Sequence, residues 1–594
     1  MQLNSTENSE FKPICQIITP VGMLGYGFDE ALTHYELSRL VPTGIPTAII
    51  LDSGSTDSGP QKLALGSMSC PRDYAFNTIS LFSNINKATI LERLKQGRLT
   101  GCGHCVPPAT EYEINESLRV VSQMGYEPFF DAMNANPDFN IIIGGRAYDP
   151  SPYVAFCVYQ LTRQSNHLST EELHSRLGGF YHMGKILECG GQCSFPKSHG
   201  AVATVYENGL FDVRPTDPES MCTPLSVAAH TLYENTRPDV LRGPGGSLHL
   251  DNSKYEQLSD GKSVRVSGSV YLSSEADGKP YQLKLEAARI VGYRSMFMGS
   301  ITDHILVSQI DKLLARVKVY VDQQHPEIAG QWNIGFHVYG KDQYTHAGPG
   351  QLFIVAEALA PTQQLANSIA SKARVGMIKA TAGNFGFGLG GHMELELGPC
   401  AEFSLYHLMD LVPGEERLAL GGDGSVLEGS LLRGTVSRIG KGVINGTNGH
   451  IAVPEVDNKP PQRASASPQR SPSPPNQAIQ KSETLSDLCR IVRSKNAGPY
   501  EITIDAMFAS KEAYEAVKSS DLLSASNVAK AIGISEEDII WIGFFDPAIS
   551  FKVTIPRVRS GKKKSAGGFM ENDIHGSQEH MGLASLKLPE GFNF

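Results

Sequence analysis

No run in this chain approaches the ~18 uninterrupted apolar residues of a membrane-crossing helix, so none is expected and no membrane partner is implied. Positive charge is short as well. Lys and Arg number 52 against 62 Asp and Glu, for a net charge of −10, which argues against a nucleic-acid binder, whose footprint is a basic excess. The only basic run, Lys562–Lys564, lies in a Gly/Ser-rich loop and reads as solvated surface. The N-terminal MQLNSTENSEFK has neither an apolar signal core nor an Arg-rich amphipathic pattern, so the expected location is cytoplasmic. The ten cysteines form no disulfide framework; most sit in apolar or Gly-rich contexts, as reduced structural thiols do. GCGHCVPP groups Cys102, His104 and Cys105, and ECGGQC adds Cys189 and Cys193; a joint four-cysteine metal site is the lesser reading, because a zinc ribbon needs two matched knuckles and the KILE before ECGGQC reads as a helix ending at Gly190 and Gly191. Walker loops, G-x-S-x-G elbows and redox-cofactor motifs are absent too, so no cofactor is expected beyond a candidate divalent cation.

What is present begins with composition. At 41% hydrophobic and 19% charged residues, the chain reads as globular and long enough for two to four domains. QRASASPQRSPSPPNQ (462–477) holds no large aliphatic or aromatic residue and cannot bury enough apolar surface to offset the entropy of ordering it. It predicts a tether, residues 456–482, between a body (1–455) and a small C-terminal domain (483–594). Joining both on one polypeptide suggests that they serve one site.

The body is expected to open as an α/β unit over 13–200. PICQIITPV runs into GMLGYG (22–27), DEALTHYELSRLV has helical spacing, and TAIILDSGSTDSGP is a strand entering a polar loop. The G-x-x-G-x-G spacing is not the dinucleotide fingerprint, though its N–H groups can face an anion at a helix start. In open α/β sheets, ligands sit beyond the carboxyl ends of the strands. There Asp52, Ser55, Thr56 and Asp57 can hold a divalent cation or orient a hydroxyl-bearing substrate. The pattern repeats in FNIIIGGRAYDPSPYVAF (139–156), a strand and turn followed by a helix opened by Pro150 or Pro152. Arg146 is suited to bidentate pairing with a substrate carboxylate, and Asp149 to capping the helix or acting as a base.

YHMGKILECGGQC (181–193) predicts a short helix with His182, Lys185 and Glu188 (or Cys189) near one face, ending in glycines that let a ligand approach. TPLSVAAHTLYE predicts a helix with His230 and Tyr233 three apart. A β-rich part with one helix (201–330) follows, in which VGYR places Tyr293 and Arg294 at a strand end and 303–324 is one amphipathic helix. A small α+β unit closes the body (331–455), with Asn384 and His407 as its notable polar residues.

GGRAYDPS, HMGKILECGG, TPLSVAAHTLYE, GPGG, VRVSGS, KLEAARIVGYR, ATAGN and EFSLYHLM together resemble the acyclic terpene utilisation AtuA-like family, over 13–455. RIVRSKNAGPYEITIDAMF and FFDPAISFKVTIPR resemble the small α+β domain often encoded beside such proteins. GCGHCVPP departs from the small-residue, Gly/Ala-rich loop of the family at that place. The resemblance implies work on a carboxylic acid, free or as a CoA thioester in which CoA is part of the substrate. Hydration or dehydration of a carbon–carbon double bond next to a carboxyl group fits these residues. It needs an acid–base pair and a clamp for carboxylate or enolate charge. Glu188, His230, Asp149 or Asp57 are the candidates for proton transfer. Arg146, Arg294 and Lys495 are the candidate clamps, with Lys185, Tyr233, Asn384, Asn496 and Arg557 also lining the site. An isomerase or CoA-thioester enzyme, and a non-catalytic acid-binding scaffold, are the other readings the residues leave open. Self-association is compatible with all three.

Overall fold

The computed structural model describes residues 11–21, 28–51, 76–165, 168–341, 350–381, 386–387, 394–418, 431–439, 483–559, 561–589 and 592. Asp52, Ser55, Thr56, Asp57 and Asn384, the GMLGYG loop and the 456–482 tether lie outside these residues.

The body is a mixed α/β structure. Its first sheet has six strands, of which Pro13–Thr19 pairs in parallel with Thr47–Ile49 and antiparallel with Ala201–Tyr206. Helix Glu30–Leu40 links the parallel pair, its first turn capped by the Asp29 carboxylate on Leu32 N. A three-stranded sheet holds Phe76–Phe82 parallel to Ile141–Gly144. Ser151–Gln164 packs on strand Pro13–Thr19 and on Thr170–Leu187, which in turn packs on Ala201–Tyr206 and Val270–Ser273. SPYVAFCVYQLTRQ is apolar almost all round, the mark of a central helix. Thr170–Leu187 opens with a Ser169/Glu172 capping box and buries its second half, including Phe180 and Tyr181. Each such large side chain contributes about 1.5–3 kcal/mol through burial.

A seven-stranded sheet is built on the 20-residue strand Gln282–Ile301, with Leu395–Asp410 on one side and Leu352–Ala360 on the other. Tyr293 and Arg294 therefore lie inside a strand, not at its end. Gly292, at φ +150°, carries a register shift instead of a stop, and a Cβ there would meet the Ala360 carbonyl oxygen at 2.8 Å. The helix expected over 303–324 is two helices, His304–Ser308 and Ile310–Gln324, separated at Gln309. The second packs with Gln363–Ala380 over a core of its own. No helix among the described residues is long and apolar enough to cross a membrane.

The C-terminal domain is a four-stranded antiparallel sheet in the order Cys489–Asn496, Glu501–Phe508, Ser550–Pro556, Trp541–Phe545. Successive side chains of a strand point to opposite faces. Ile502, Ile504, Ala506, Phe551, Val553 and Ile555 meet the domain's own helices. The alternate residues Thr503, Asp505, Lys552 and Thr554 are polar, yet just as buried. They face the body. Lys552 Nζ donates to the Leu232 carbonyl at 2.9 Å and Thr554 Oγ1 to the Thr236 carbonyl at 2.7 Å. Met507, Phe545 and Ala548 close an apolar seam with Ala228 and Leu232. A second anchor lies at the far sheet, where Met570 N donates to Glu357 Oε2 at 3.0 Å.

Candidate functional site

The polar residues of four body segments converge under the C-terminal domain. Arg146, Tyr148 and Asp149 follow strand Ile141–Gly144. Lys185 and Glu188 come from the last turn and C-cap of Thr170–Leu187. His230 ends the seven-residue helix Pro224–His230, whose first turn is held by a Thr223/Ser226 capping box. Lys284 and Glu286, near the start of the long strand, complete the floor.

The Lys185 ammonium pairs with Glu188 Oε1, both side chains being 7% exposed. Burial pushes the Glu188 carboxyl well above the usual range, and the Asp149 carboxylate beside it adds to that against the pull of Lys185. Asp149 behaves oppositely: burial would raise it, but Arg146 and Lys185 outweigh burial and hold it low. Arg146 Nη1 stands 3.8 Å from Asp149 Oδ1. Burial would lower Lys185, yet Glu188 and Asp149 keep it firmly protonated. His230 is driven well below the ordinary imidazole value by burial, then by Lys185, Lys197 and Arg493, so it is neutral. Its ring stacks on Tyr233, 5.9 Å between centroids at 12°. Tyr233 lies past the helix end, not within it, and carries the Arg493 guanidinium 5.5 Å above its ring.

Several expectations need correction. The Arg146 fork does not stand open for a carboxylate: Nε and Nη2 donate to Glu286 at 3.0 and 3.3 Å. Glu286 also pairs with Lys284, whose Nζ lies 3.7 Å away and donates to Tyr406 OH at 3.2 Å. Arg146 is therefore a source of positive potential rather than a free clamp. Asp149 does not cap the next helix; Pro150 occupies that position. Arg294 is remote, bound to Glu357 at 3.2 Å and to the Gly568 carbonyl at 3.5 Å. Asn496 and Arg557 bond to each other and to the Ile574 carbonyl, so they fix a strap of their own domain. Lys495 lies on the body-facing side of its sheet, in register with Thr503. His182, on the same helix as Lys185, is a satisfied core residue: Ser269 Oγ lies 2.6 Å from Nδ1, and burial pushes it down to about 3.

The glycines after Cys189 admit backbone, not ligand. A Cβ on Gly190 (φ +53°) would stand 2.0 Å from the Val21 carbonyl oxygen, and one on Gly191 2.0 Å from that of Ser198. Gly191 N donates to the Val21 carbonyl at 2.9 Å. Cys189 is thereby set beside Glu188 and His230, and the three offer ligand atoms within 4.8 Å of one another.

The GCGHC segment closes the other end. Cys102 lies among Lys284, Glu286 and Glu501, and burial pushes its thiol up to about 12, so it is no nucleophilic thiolate. Glu501 accepts from Thr236 Oγ1 at 2.6 Å, and burial raises its carboxyl. The sequence reading missed Arg493, Asp505 and Lys552. The signal was the two-residue alternation of ITIDAMF and SFKVTIP, which gives each strand one apolar and one polar face.

Residues 108–394 match the model of the acyclic terpene utilisation family protein AtuA, a span that holds Arg146, Asp149, Lys185, Glu188, His230, Lys284 and Glu286. Residues 485–587, with Arg493, Asp505 and Lys552, match the domain of unknown function DUF4387. No curated protein and no solved structure matches the chain.

Proposed function

From a chain that joins an AtuA-like body to a DUF4387 domain, we propose a carbon–oxygen lyase that adds water to, or removes it from, an unsaturated or hydroxylated carboxylic acid. The family description, acyclic terpene utilisation, supports the broader role, catabolism of an acyclic carbon skeleton.

One observation carries the reading: two neighbouring carboxyls that share the field of Lys185 are pushed in opposite directions, Glu188 up and Asp149 down. Elimination of water next to a carboxylate needs a base at the carbon and an electrophile at the departing oxygen, and such divergent acids supply these roles. Asp149, ionised between Arg146 and Lys185, takes the proton from carbon. The Glu188–His230 corner receives the hydroxyl. Lys185, Arg146 and Lys284 give the positive potential that steadies enolate charge in a site with little water. The C-terminal domain roofs the corner with Arg493.

Proton NMR in D₂O with a panel of unsaturated and hydroxy acids tests it. Deuterium entering beside a carboxyl group, with gain or loss of water, is the expected result, abolished in Glu188→Gln and His230→Ala. Full turnover in both variants would remove the assignment. Exchange without net water change would point to an isomerase, and inertness with both free acids and CoA thioesters to a binding role.

A further inference from the structure

The Glu188–His230 corner holds polar atoms that the fold leaves unsatisfied. His230 Nε2 is buried and meets no hydrogen-bond partner, and Glu188 Oε2, buried too, receives no hydrogen bond from the fold and has only the Asp149 carboxyl beside it. Both residues are 7% exposed, too little for water to stand in freely. A buried polar atom left unpaired costs about 1–3 kcal/mol, so such atoms turned to one corner point to a ligand. Cys189 brings a third donor, and one ligand atom from each of the three lies within 4.8 Å of the others.

We infer that Glu188, Cys189 and His230 bind a divalent transition-metal ion of the zinc class. The donor set selects that class: thiolate and imidazole suit zinc and its neighbours, whereas magnesium and calcium take oxygen ligands. Three protein donors leave a fourth tetrahedral position open, as catalytic sites do and structural ones do not. Bonds of about 2.0–2.3 Å set tetrahedral donors roughly 3.3–3.8 Å apart, so the corner closes by about 1 Å when loaded. Lys185 on Glu188 Oε1 fixes which oxygen faces the ion, the service that outer-shell groups give metal ligands. Gly190, pinned against Val21, holds Cys189 in the corner. The ion would be the electrophile at the substrate hydroxyl; in that role it rests on the lyase reading, while its binding does not.

The test uses the full chain, dialysed against a chelator and titrated with Zn²⁺ alone or Co²⁺ alone. One ion per chain is expected, with the visible bands of tetrahedral cobalt and a thiolate-to-cobalt charge-transfer band in the near ultraviolet. Cys189→Ser should lose the charge-transfer band, and Glu188→Gln and His230→Gln should each weaken binding at least about tenfold. Should a variant fail to fold, alkylation of the wild-type chain gives the same answer: Zn²⁺ should protect Cys189, read by peptide mass spectrometry. No stoichiometric uptake, or uptake that leaves Cys189 unprotected and survives all three substitutions, overturns the metal site. Stoichiometric uptake without turnover of any acid overturns the lyase reading and leaves the metal site standing. Turnover by a chain that binds no metal does the reverse.

Discussion

Lys552 of the C-terminal domain, buried completely, donates its ammonium proton to the carbonyl of Leu232, two residues past His230. The same ammonium lies 2.7 Å from Asp505 Oδ1 and donates to Thr503 Oγ1 at 2.8 Å. The domain thus fixes the backbone that follows the site's histidine, and it does so with a charge taken out of water.

Removing that charge leaves Asp505 buried with Arg493, 3.4 Å away, as its remaining ion-pair partner. Lys552→Met should therefore destabilise the chain by about 3 kcal/mol, the low end for a broken buried pair. Urea denaturation measures it. Asp505→Leu combined with Lys552→Met should recover part of the loss, since replacing both charges costs less than stranding one. A single-variant loss below about 0.5 kcal/mol, the size of a surface change, would refute the role.

Asp149 is the base of the proposed reaction and takes little part in helix capping. Asp149→Asn should lower turnover by about 10²–10⁴-fold, the usual share of general acid–base catalysis, with a melting temperature close to that of the parent. An unchanged rate in the NMR assay would pass the base to another group.

Gly190 offers a local test. Its φ of +53° and the 2.0 Å approach of the Val21 carbonyl leave no room for a methyl group. Gly190→Ala should cost about 3 kcal/mol through strain and displacement of the turn. Because the same turn carries Cys189, metal uptake should fall with it, whereas stability and uptake both matching wild type would contradict the close approach.

Glu127 supplies a pH signature outside the site. Burial pushes its carboxyl up to about 7, although Tyr281 OH donates to it at 2.8 Å. In the unfolded chain it titrates near 4.3, so the folded state holds the proton more tightly. Its stabilising contribution is whole below about pH 4.3 and is lost as the pH rises through 7, a fall of roughly 3–4 kcal/mol. Glu127→Gln should flatten that slope in denaturation curves taken from pH 4.5 to 8; a slope the substitution leaves intact would assign it elsewhere.

Local chemistry was legible where neighbours in sequence decide it. The Ser169/Glu172 and Thr223/Ser226 capping boxes, the apolar helix after Pro150 and the alternating strands of the C-terminal domain all follow from residues within a few positions. Lys185, Glu188 and His230 could be named from helical spacing and composition alone. Their surroundings could not. VGYR reads as a strand end, but the strand runs on through Tyr293 and Arg294 because Leu352–Ala360 and Leu395–Asp410 lie alongside and extend the pairing.

By itself the sequence determined most kinds of element and the division into body and C-terminal domain, since each depends on short-range backbone and burial preferences. Tertiary structure decided what those residues do. Glu286, 140 positions from Arg146, turns a candidate clamp into a bound one. Arg493 and Lys552, 260 positions from Tyr233 and 320 from Leu232, bring the tail onto the candidate site. Burial holds Glu188 up, whereas Arg146 and Lys185 together pull the neighbouring Asp149 down. Charge and solvation act through space, and only the folded chain sets those distances.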